Sequence, residues 1–570
     1  MNTILRELEP ADFRSSFSSG AFRFKHPELQ QIAGDRGYLT GWSEAFSRAG
    51  IAAPLEVSGD FAVAIPTPDG GVFLATDRFA IRSLCYRITD GQLLVAERAD
   101  ELADPDGELD SQALYDYLYF HMIPAPRTVF KDVFRLPAGH YALFENGHLT
   151  VAPWWKPHFS EKRRAPLGEL KAEFRQILLD AVRDRLDGDT TACFLSGGTD
   201  SSTVAGLLRE VTGQPARAFS IGFEAAGYDE MEYARIAARH FGAEHHEYYV
   251  TPDDLVRSIP EVAASYDQPF GNSSVVPAFY CAKAAREAGM TRILAGDGGD
   301  ELFGGNTRYA KQRVFGAYEQ IPSMLRRGLL EPLLTGSTLP GKIPGIKKVV
   351  SYVEQASVPM PDRMQMYNLL TRLGLGEVLT PEFLAQVDPQ DTLRQQRETY
   401  RAGDGQALVN RMLWYDWKYT LADNDLPKVL GATSLAGLEV GFPLLDDRLV
   451  DFSLRLDPEL KLKGLTLRWF FKEALKDFLP PEIITKKKHG FGLPFGVWAT
   501  EHAGLRGLAL ESLDSLRGHG IVRSDFIDRL IKEYLPQHPG YYGELVWILM
   551  MLAQWMGRHE FPHLTPRSIG

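Results

Sequence analysis

Cysteine is nearly absent from this chain of 570 residues: only Cys85, Cys193 and Cys281 occur, widely spaced and with no CxxC pair. Three such thiols supply neither a disulfide framework nor a cysteine-rich zinc site, so a reducing cytoplasm is the expected compartment. A membrane-spanning run is missing as well. The most apolar stretch, Leu545 to Leu552 (LVWILMML), falls far short of the roughly 20 residues that cross a bilayer. With Trp547 and Trp555 close by, it is expected to be a buried C-terminal helix. Met1 to Glu7 carries an early acidic residue and no apolar stretch, which does not read as a signal peptide. Positive charge is also in deficit: 62 Lys and Arg against 74 Asp and Glu leave a net charge of -12. That argues against a surface built to neutralise nucleic-acid phosphates, so neither nucleic acid nor membrane is expected as a partner.

What remains is ordinary for a globular enzyme, with 44% apolar and 24% charged residues, in a chain too long for one core. Residues 57 to 152 read as short strands with turns: Val57 to Ile65, a Pro68-Asp69-Gly70-Gly71 turn, Val72 to Ala75, Leu84 to Ile88 and Leu93 to Ala96. Leu114 to Tyr119 reads as helix, and Gly139 to Phe144 with Leu149 to Ala152 as a hairpin across Asn146-Gly147. The polar, proline-bounded stretch Ser160 to Pro166 is a linker. This divides the chain into domains at 1–155 and 166–565. Beyond the linker, helices (Leu167 to Leu186, Ser202 to Val211, Glu230 to Phe241) alternate with strands (Thr191 to Leu195, Ala218 to Phe223, Thr291 to Ala295), which implies a parallel sheet. Residues 310 to 560 read as almost wholly helical, broken at Thr335 to Gly345.

Two loops carry chemistry. The first strand of the second domain runs into Ser196-Gly197-Gly198-Thr199-Asp200-Ser201 and straight into a helix. Glycines let backbone N–H groups approach an anion, the helix N-terminus adds its positive end, and Asp200 suits Mg²⁺. No lysine follows the glycines, so this is not a Walker A loop. The bland alternative is a strand-to-helix turn with capping serines. The second loop, Gly296-Asp297-Gly298-Gly299-Asp300-Glu301, again follows a strand. Two aspartates from separate strand ends, Asp200 and Asp300, make a sensible Mg²⁺ pair with water and phosphate completing the shell.

SGGTDSS, Phe219-Ser220-Ile221-Gly222-Phe223 and GDGGDELFGG together resemble the synthetase domain of the asparagine synthetases. Further matches are Glu439 to Asp446 (EVGFPLLD, like EVRxPFLD) and Lys488 to Pro494 with Trp498 (like KxGFxxPxxxW). Gly59-Asp60-Phe61-Ala62, Asp77-Arg78-Phe79-Ala80 and Leu136-Pro137-Ala138-Gly139 match the family's N-terminal half. The resemblance implies an α/β protein: a degenerate N-terminal-nucleophile glutaminase-like α+β sandwich, then an adenine-nucleotide α-hydrolase-like parallel sheet with a large helical part. It implies ATP and Mg²⁺ as cofactors. Ser196, Gly197, Gly198, Asp200 and Ser201 would grip pyrophosphate, and Asp200 with Asp300 would hold the metal. Leu195, Ser220, Ile221, Gly222, Gly296 and Asp297 would line the nucleotide. Lys488, Asp297 and Glu439 would be catalytic, with Lys488 facing the charge that builds on departing pyrophosphate. The implied activity is a carbon–nitrogen ligase that adenylates a carboxylate, forming AMP and pyrophosphate, and passes it to an amine.

The chain departs from the family in four places. Asn2 follows Met1 where glutamine-dependent members present a nucleophilic cysteine, and the NGE segment is missing around Gly37 to Trp42. A non-catalytic glutaminase-like domain is therefore expected. Gly441 replaces the arginine of EVRxPFLD, and Leu430-Gly431 replaces an Asp-Arg pair. Losing an arginine's donor fork points to a carboxylate other than aspartate. Three sources of nitrogen stay open: free ammonia, an amine on the same substrate as in β-lactam synthetases and lasso-peptide macrolactam cyclases, or a second molecule. A pseudo-synthetase scaffold is the non-enzymatic alternative. The partners expected are a small-molecule or peptide carboxylate and an amine, with a homodimer or a precursor peptide compatible.

Overall fold

The computed structural model describes residues 22–26, 31, 38–104, 107–161, 165–319, 322–325, 352–486 and 492–558. The expected break at 335 to 345 lies outside these residues, as do Asn2 and Lys488.

The alternation read in the N-terminal half becomes two antiparallel sheets. A short pair, β1 (Phe22–Phe24) and β2 (Val57–Gly59), leads in. β3 (Ala62–Pro66), β4 (Val72–Thr76), β8 (His140–Glu145) and β9 (His148–Pro153) form a four-stranded sheet in the order β3-β4-β8-β9. β5 (Cys85–Thr89), β6 (Gln92–Ala96) and β7 (Val133–Arg135) form a second, ordered β6-β5-β7. Both faces of β3 are buried, and its period of two sorts them. Ala62 and Ala64 pack with Leu84 and with Tyr86 and Leu93 of the second sheet, while Val63 and Ile65 pack against Trp42 of the Tyr38–Ala49 helix. Asn146 and Gly147 both take positive φ, 52° and 77°, closing the β8–β9 hairpin as the dipeptide foretells.

The second half holds an all-parallel sheet of β10 (Thr191–Phe194), β11 (Arg217–Phe223), β12 (Glu244–Val250), β13 (Arg292–Leu294) and β14 (Glu439–Gly441). Its order is β12-β11-β10-β13-β14. The chain builds outward from β10 on one side, then returns to β10's other edge with β13. Ligands of open α/β sheets bind at the carboxyl ends of strands where the order reverses, here between β10 and β13. β14 falls inside the stretch read as helical, as does the hairpin of β15 (Leu462–Lys463) and β16 (Thr466–Leu467). Strands of two or three residues leave no period to read.

The two halves share one core. The helix Ser111–Phe120, started by Asp110 accepting from the N–H groups of Gln112 and Ala113, is buried around its apolar circumference. It packs with the C-terminal helix Pro539–Arg558, where Trp547 and Trp555 are each 1% exposed. The Tyr117 hydroxyl donates to Ile548 O at 2.8 Å. Among the described residues no helix is long and apolar enough to cross a membrane. A second seam is ionic: Gly59 N donates to Asp447 at 3.0 Å, and Arg78 pairs with Asp447 and Asp451 at 3.1 and 2.7 Å.

Candidate functional site

The Ser196–Ser201 loop leaves the carboxyl end of the central strand and enters the helix Thr199–Thr212 within three residues. Ser196 N donates to Ser201 Oγ at 3.1 Å, and the two hydroxyls lie 3.0 Å apart. The loop is thereby folded on itself by its own hydrogen bonds. Gly197 sits at φ +68°, and a Cβ there would stand 2.4 Å from Ala234 N, so only glycine fits the turn against the neighbouring helix. No side chain caps the Thr199 helix, so its first-turn amides and dipole face whatever the loop holds.

The second loop follows β13 in register with the first, because Cys193 pairs with Leu294 across the sheet. The loops touch closely: a Cβ on Gly299 would stand 2.0 Å from Asp200 Oδ1. Asp200 and Asp300, 100 positions apart in sequence, converge on one cation, the guanidinium of Arg468. Its Nη1 donates to Asp200 Oδ2 at 2.6 Å, to Asp300 Oδ1 at 2.8 Å and to Thr199 Oγ1 at 2.9 Å, and its Nη2 donates to Asp200 Oδ1. Arg468 is only 4% exposed and holds φ +54°, a left-handed conformation that costs a non-glycine residue about 1 kcal/mol or more. Among the described residues no group of three or more His, Cys, Asp or Glu is arranged to hold a metal. The pair nonetheless fits Mg²⁺. It offers hard carboxylate oxygens from two loops at a point that already receives positive charge, and Mg²⁺ fills its other positions with water and phosphate.

Further cations surround the loops. Lys486, first of the Lys486-Lys487-Lys488 run, places Nζ 3.4 Å from Gly197 O and 3.0 Å from Glu230, over the Tyr233 ring. Lys472 lies one turn beyond Arg468, its ammonium held below its usual pKa by burial and by Arg468. On the other side Lys428 Nζ meets Asp425 at 3.1 Å and Asp297 at 3.4 Å. Burial opposes its charge, but Asp425 and Asp297 outweigh that and raise its pKa. Burial likewise raises Asp297 above the usual carboxylate range, and Lys428 offsets this in part. Lys428 follows a π-helical segment, Trp417–Asp425, an irregularity frequent at functional sites.

The structure therefore brings Ser196, Gly197, Gly198, Asp200, Ser201, Gly296, Asp297 and Asp300 together. Leu195 and Ser220 border them, though the Ser220 hydroxyl is already engaged, donating to Leu195 O at 2.5 Å and lying 2.7 Å from His245 Nε2. Ile221 and Gly222 continue β11, with the Tyr249 ring against Gly222. His245 and His246 point to opposite sides of β12; His246 stacks on Phe219 at 4.6 Å, so neither is posed as a metal ligand. Glu439 is not brought to the loops. It starts β14 beside Arg292, which it pairs with at the amino end of the sheet, away from both loops. The two loops lie at the strands' carboxyl ends, where a parallel sheet presents its site, and Glu439 lies at the opposite end. Arg468, Lys428 and Lys472 escaped the sequence reading. A single arginine ahead of an aromatic helix carries no signal of its own, whereas Lys428 could have been noticed at i+3 from Asp425.

A model of the asparagine synthase family matches residues 173–557, and one of a glutamine amidotransferase domain matches residues 43–155. The chain belongs to the asparagine synthase family. It is 26% identical over 495 residues to the glutamine-hydrolyzing asparagine synthetase 1 of Bacillus subtilis (strain 168), covering 85% of this chain and 75% of that one. Against the glutamine-hydrolyzing asparagine synthetase 3 of the same organism the identity is 24% over 438 residues, covering 73% and 64%. Against amidase chyE of Penicillium rubens it is 23% over 515 residues, covering 80% and 72%. Family membership supports an ATP-dependent amide ligase. The departures from the family pattern have local causes. A Cβ on Gly431 would stand 2.3 Å from the Tyr266 hydroxyl, so the tyrosine fills the space a longer side chain would need. At Gly441 the neighbours are Leu294 and Arg185, and Arg185 is committed to Asp446 at 2.9 Å.

Proposed function

We propose that this protein joins a carboxylate to an amine by adenylating the carboxylate with ATP, releasing AMP and pyrophosphate. The observation that carries the reading is the convergence of Asp200 and Asp300, from the ends of adjacent parallel strands, beside an uncapped helix N-terminus. A free carboxylate resists an amine because it is anionic and oxide is a poor leaving group; esterified to AMP it reacts. The amides and hydroxyls of Ser196 to Ser201 hold the pyrophosphate, while Leu195, Ser220, Ile221, Gly222 and Gly296 border adenine and ribose. Asp200 and Asp300 would hold Mg²⁺, which supplies charge neutralisation on the phosphates. Lys486, with Nζ 3.4 Å from Gly197 O, would face the departing charge, the role that the family resemblance gives to Lys488. Asp297, beside Lys428, takes the proton from the attacking amine.

The nitrogen does not come from glutamine hydrolysed by the N-terminal domain. Cys85, the one cysteine of residues 1–155, is buried, and burial pushes its thiol up to about 11, so it presents no thiolate. Gly431 and Gly441 in place of arginines support a carboxylate other than aspartate. Incubation with ATP, Mg²⁺ and panels of carboxylates and amines tests this. AMP and pyrophosphate are the expected products, and ADP with phosphate would overturn the adenylate route. Glutamate released from glutamine above a heat-inactivated control would overturn the second part. The product's mass separates closure onto an amine of the same substrate from joining two molecules.

A further inference from the structure

Arg468 stands where a divalent cation would have to bind. Its guanidinium serves both carboxylates and Thr199 at once, rests 4.1 Å from the centre of the Phe471 ring, and is anchored through its backbone N to Gly304 O at 3.2 Å. Its Nε is buried with no acceptor among the described residues. The fork is thus only partly used, with a donor left over for an anion. We propose that Arg468 is a resident counter-ion that keeps a divalent cation off Asp200 and Asp300 until nucleotide phosphates arrive to take its guanidinium. The inference rests on the nucleotide reading of this site.

Charge decides the order. Asp200 and Asp300 bring negative charge to the Arg468 guanidinium, Glu301 adds to it, and Lys472 acts on Asp300 from the next turn. A bare divalent ion entering here must take both aspartate partners from a buried guanidinium, and a desolvated charge that loses its partners is costly. A triphosphate changes this. It gives the planar fork oxygens to grip in bidentate fashion and brings negative charge for both cations. Metal and nucleotide then bind with positive coupling, and Arg468 is its source. A lysine could carry the charge but not hold two carboxylates and a hydroxyl in one plane.

Mn²⁺ is the probe, counted by electron paramagnetic resonance with and without a non-hydrolysable α,β-methylene ATP. Wild-type protein should bind Mn²⁺ weakly alone and more tightly with the nucleotide, by a factor in the range of about 5–150 typical of coupled sites. Arg468→Met should bind Mn²⁺ alone about tenfold or more tightly than wild type, with the coupling reduced. Adding Asp200→Asn to that variant should abolish the gain. Arg468→Lys should keep part of the coupling. Wild type binding Mn²⁺ equally well with and without nucleotide would overturn the inference, as would an unchanged Arg468→Met or a gain that survives Asp200→Asn. Should Arg468→Met be too unstable for titration, thermal unfolding reports instead: Mn²⁺ alone should raise its midpoint more than that of wild type, and equal shifts overturn the proposal. Wild type that takes up no nucleotide, with or without Mn²⁺, would remove the nucleotide reading itself, and this inference with it.

Discussion

Asp200 and Asp300 are the side chains on which the proposed chemistry depends most directly. Replacing either by Asn keeps the shape but removes a charge facing the phosphates. Each is expected to lower pyrophosphate release at least about a hundredfold, roughly 2.7 kcal/mol of transition-state stabilisation. Lys488→Ala should do the same, with thermal unfolding little changed. Lys428 offers a separate test through pH. Burial raises the Asp297 pKa and Lys428 opposes that rise. In the proposed mechanism Asp297 acts as a base only when ionised, so activity should climb as pH rises through its pKa. Lys428→Met removes the opposing charge and should move that limb of the kcat/KM profile to higher pH; an unmoved limb would separate Asp297 from the proton transfer. At this scale the acidic and glycine residues of the loops were legible because each short segment combines several unusual choices. Arg468 was not, since its role exists only once residues 199, 200, 300 and 468 are adjacent in space.

Among the elements, the loop between β10 and the Thr199–Thr212 helix is tightly constrained. Gly197→Ala meets both a positive φ and a backbone 2.4 Å away, a strain of about 1–3 kcal/mol. The loop must shift, and calorimetry should show ATP affinity falling by tenfold or more, in line with about 1.4 kcal/mol, while the rest of the fold unfolds at nearly the same temperature. The short helix Pro458–Lys461 holds a different device. Lys461 is fully buried against Asn410 at 2.9 Å, and burial, opposed by Glu161, lowers its pKa to about 7. Between about pH 7 and its unfolded value near 10.5 the unfolded chain binds the extra proton, so rising pH favours the folded state across that window. Lys461→Met should flatten the rise of the unfolding midpoint with pH there; an unaltered slope would mean the ammonium stays charged when folded.

For the molecule as a whole, the apparent break at Ser160 to Pro166 is a boundary of sequence texture more than of packing. Leu114, Tyr117 and Leu118 of the N-terminal half share one apolar cluster with Val546, Trp547 and Leu549 of the C-terminal helix. A protein beginning at residue 166 would expose that face and leave Ile548 O without its Tyr117 donor. Its soluble yield should fall sharply against full-length protein, and dye-monitored melting should show no cooperative transition. A well-folded, active fragment would show that the N-terminal half contributes little to the core.

The sequence by itself determined what depends on neighbours along the chain: strand alternation, the Asn146-Gly147 turn, the strand–glycine–helix junction at Ser196, and the apolar C-terminal helix. Periodicity and turn chemistry act over a few residues, so they can be read without a fold. The tertiary structure decided whatever depends on which strand ends meet. It placed β13 beside β10 and so paired Asp300 with Asp200. It put Glu439 at the amino end of the sheet, away from the two loops, although its motif gave no hint of that. It also delivered Arg468 and Lys428 from distant helices, because burial of apolar faces, rather than any local signal, sets where those helices lie.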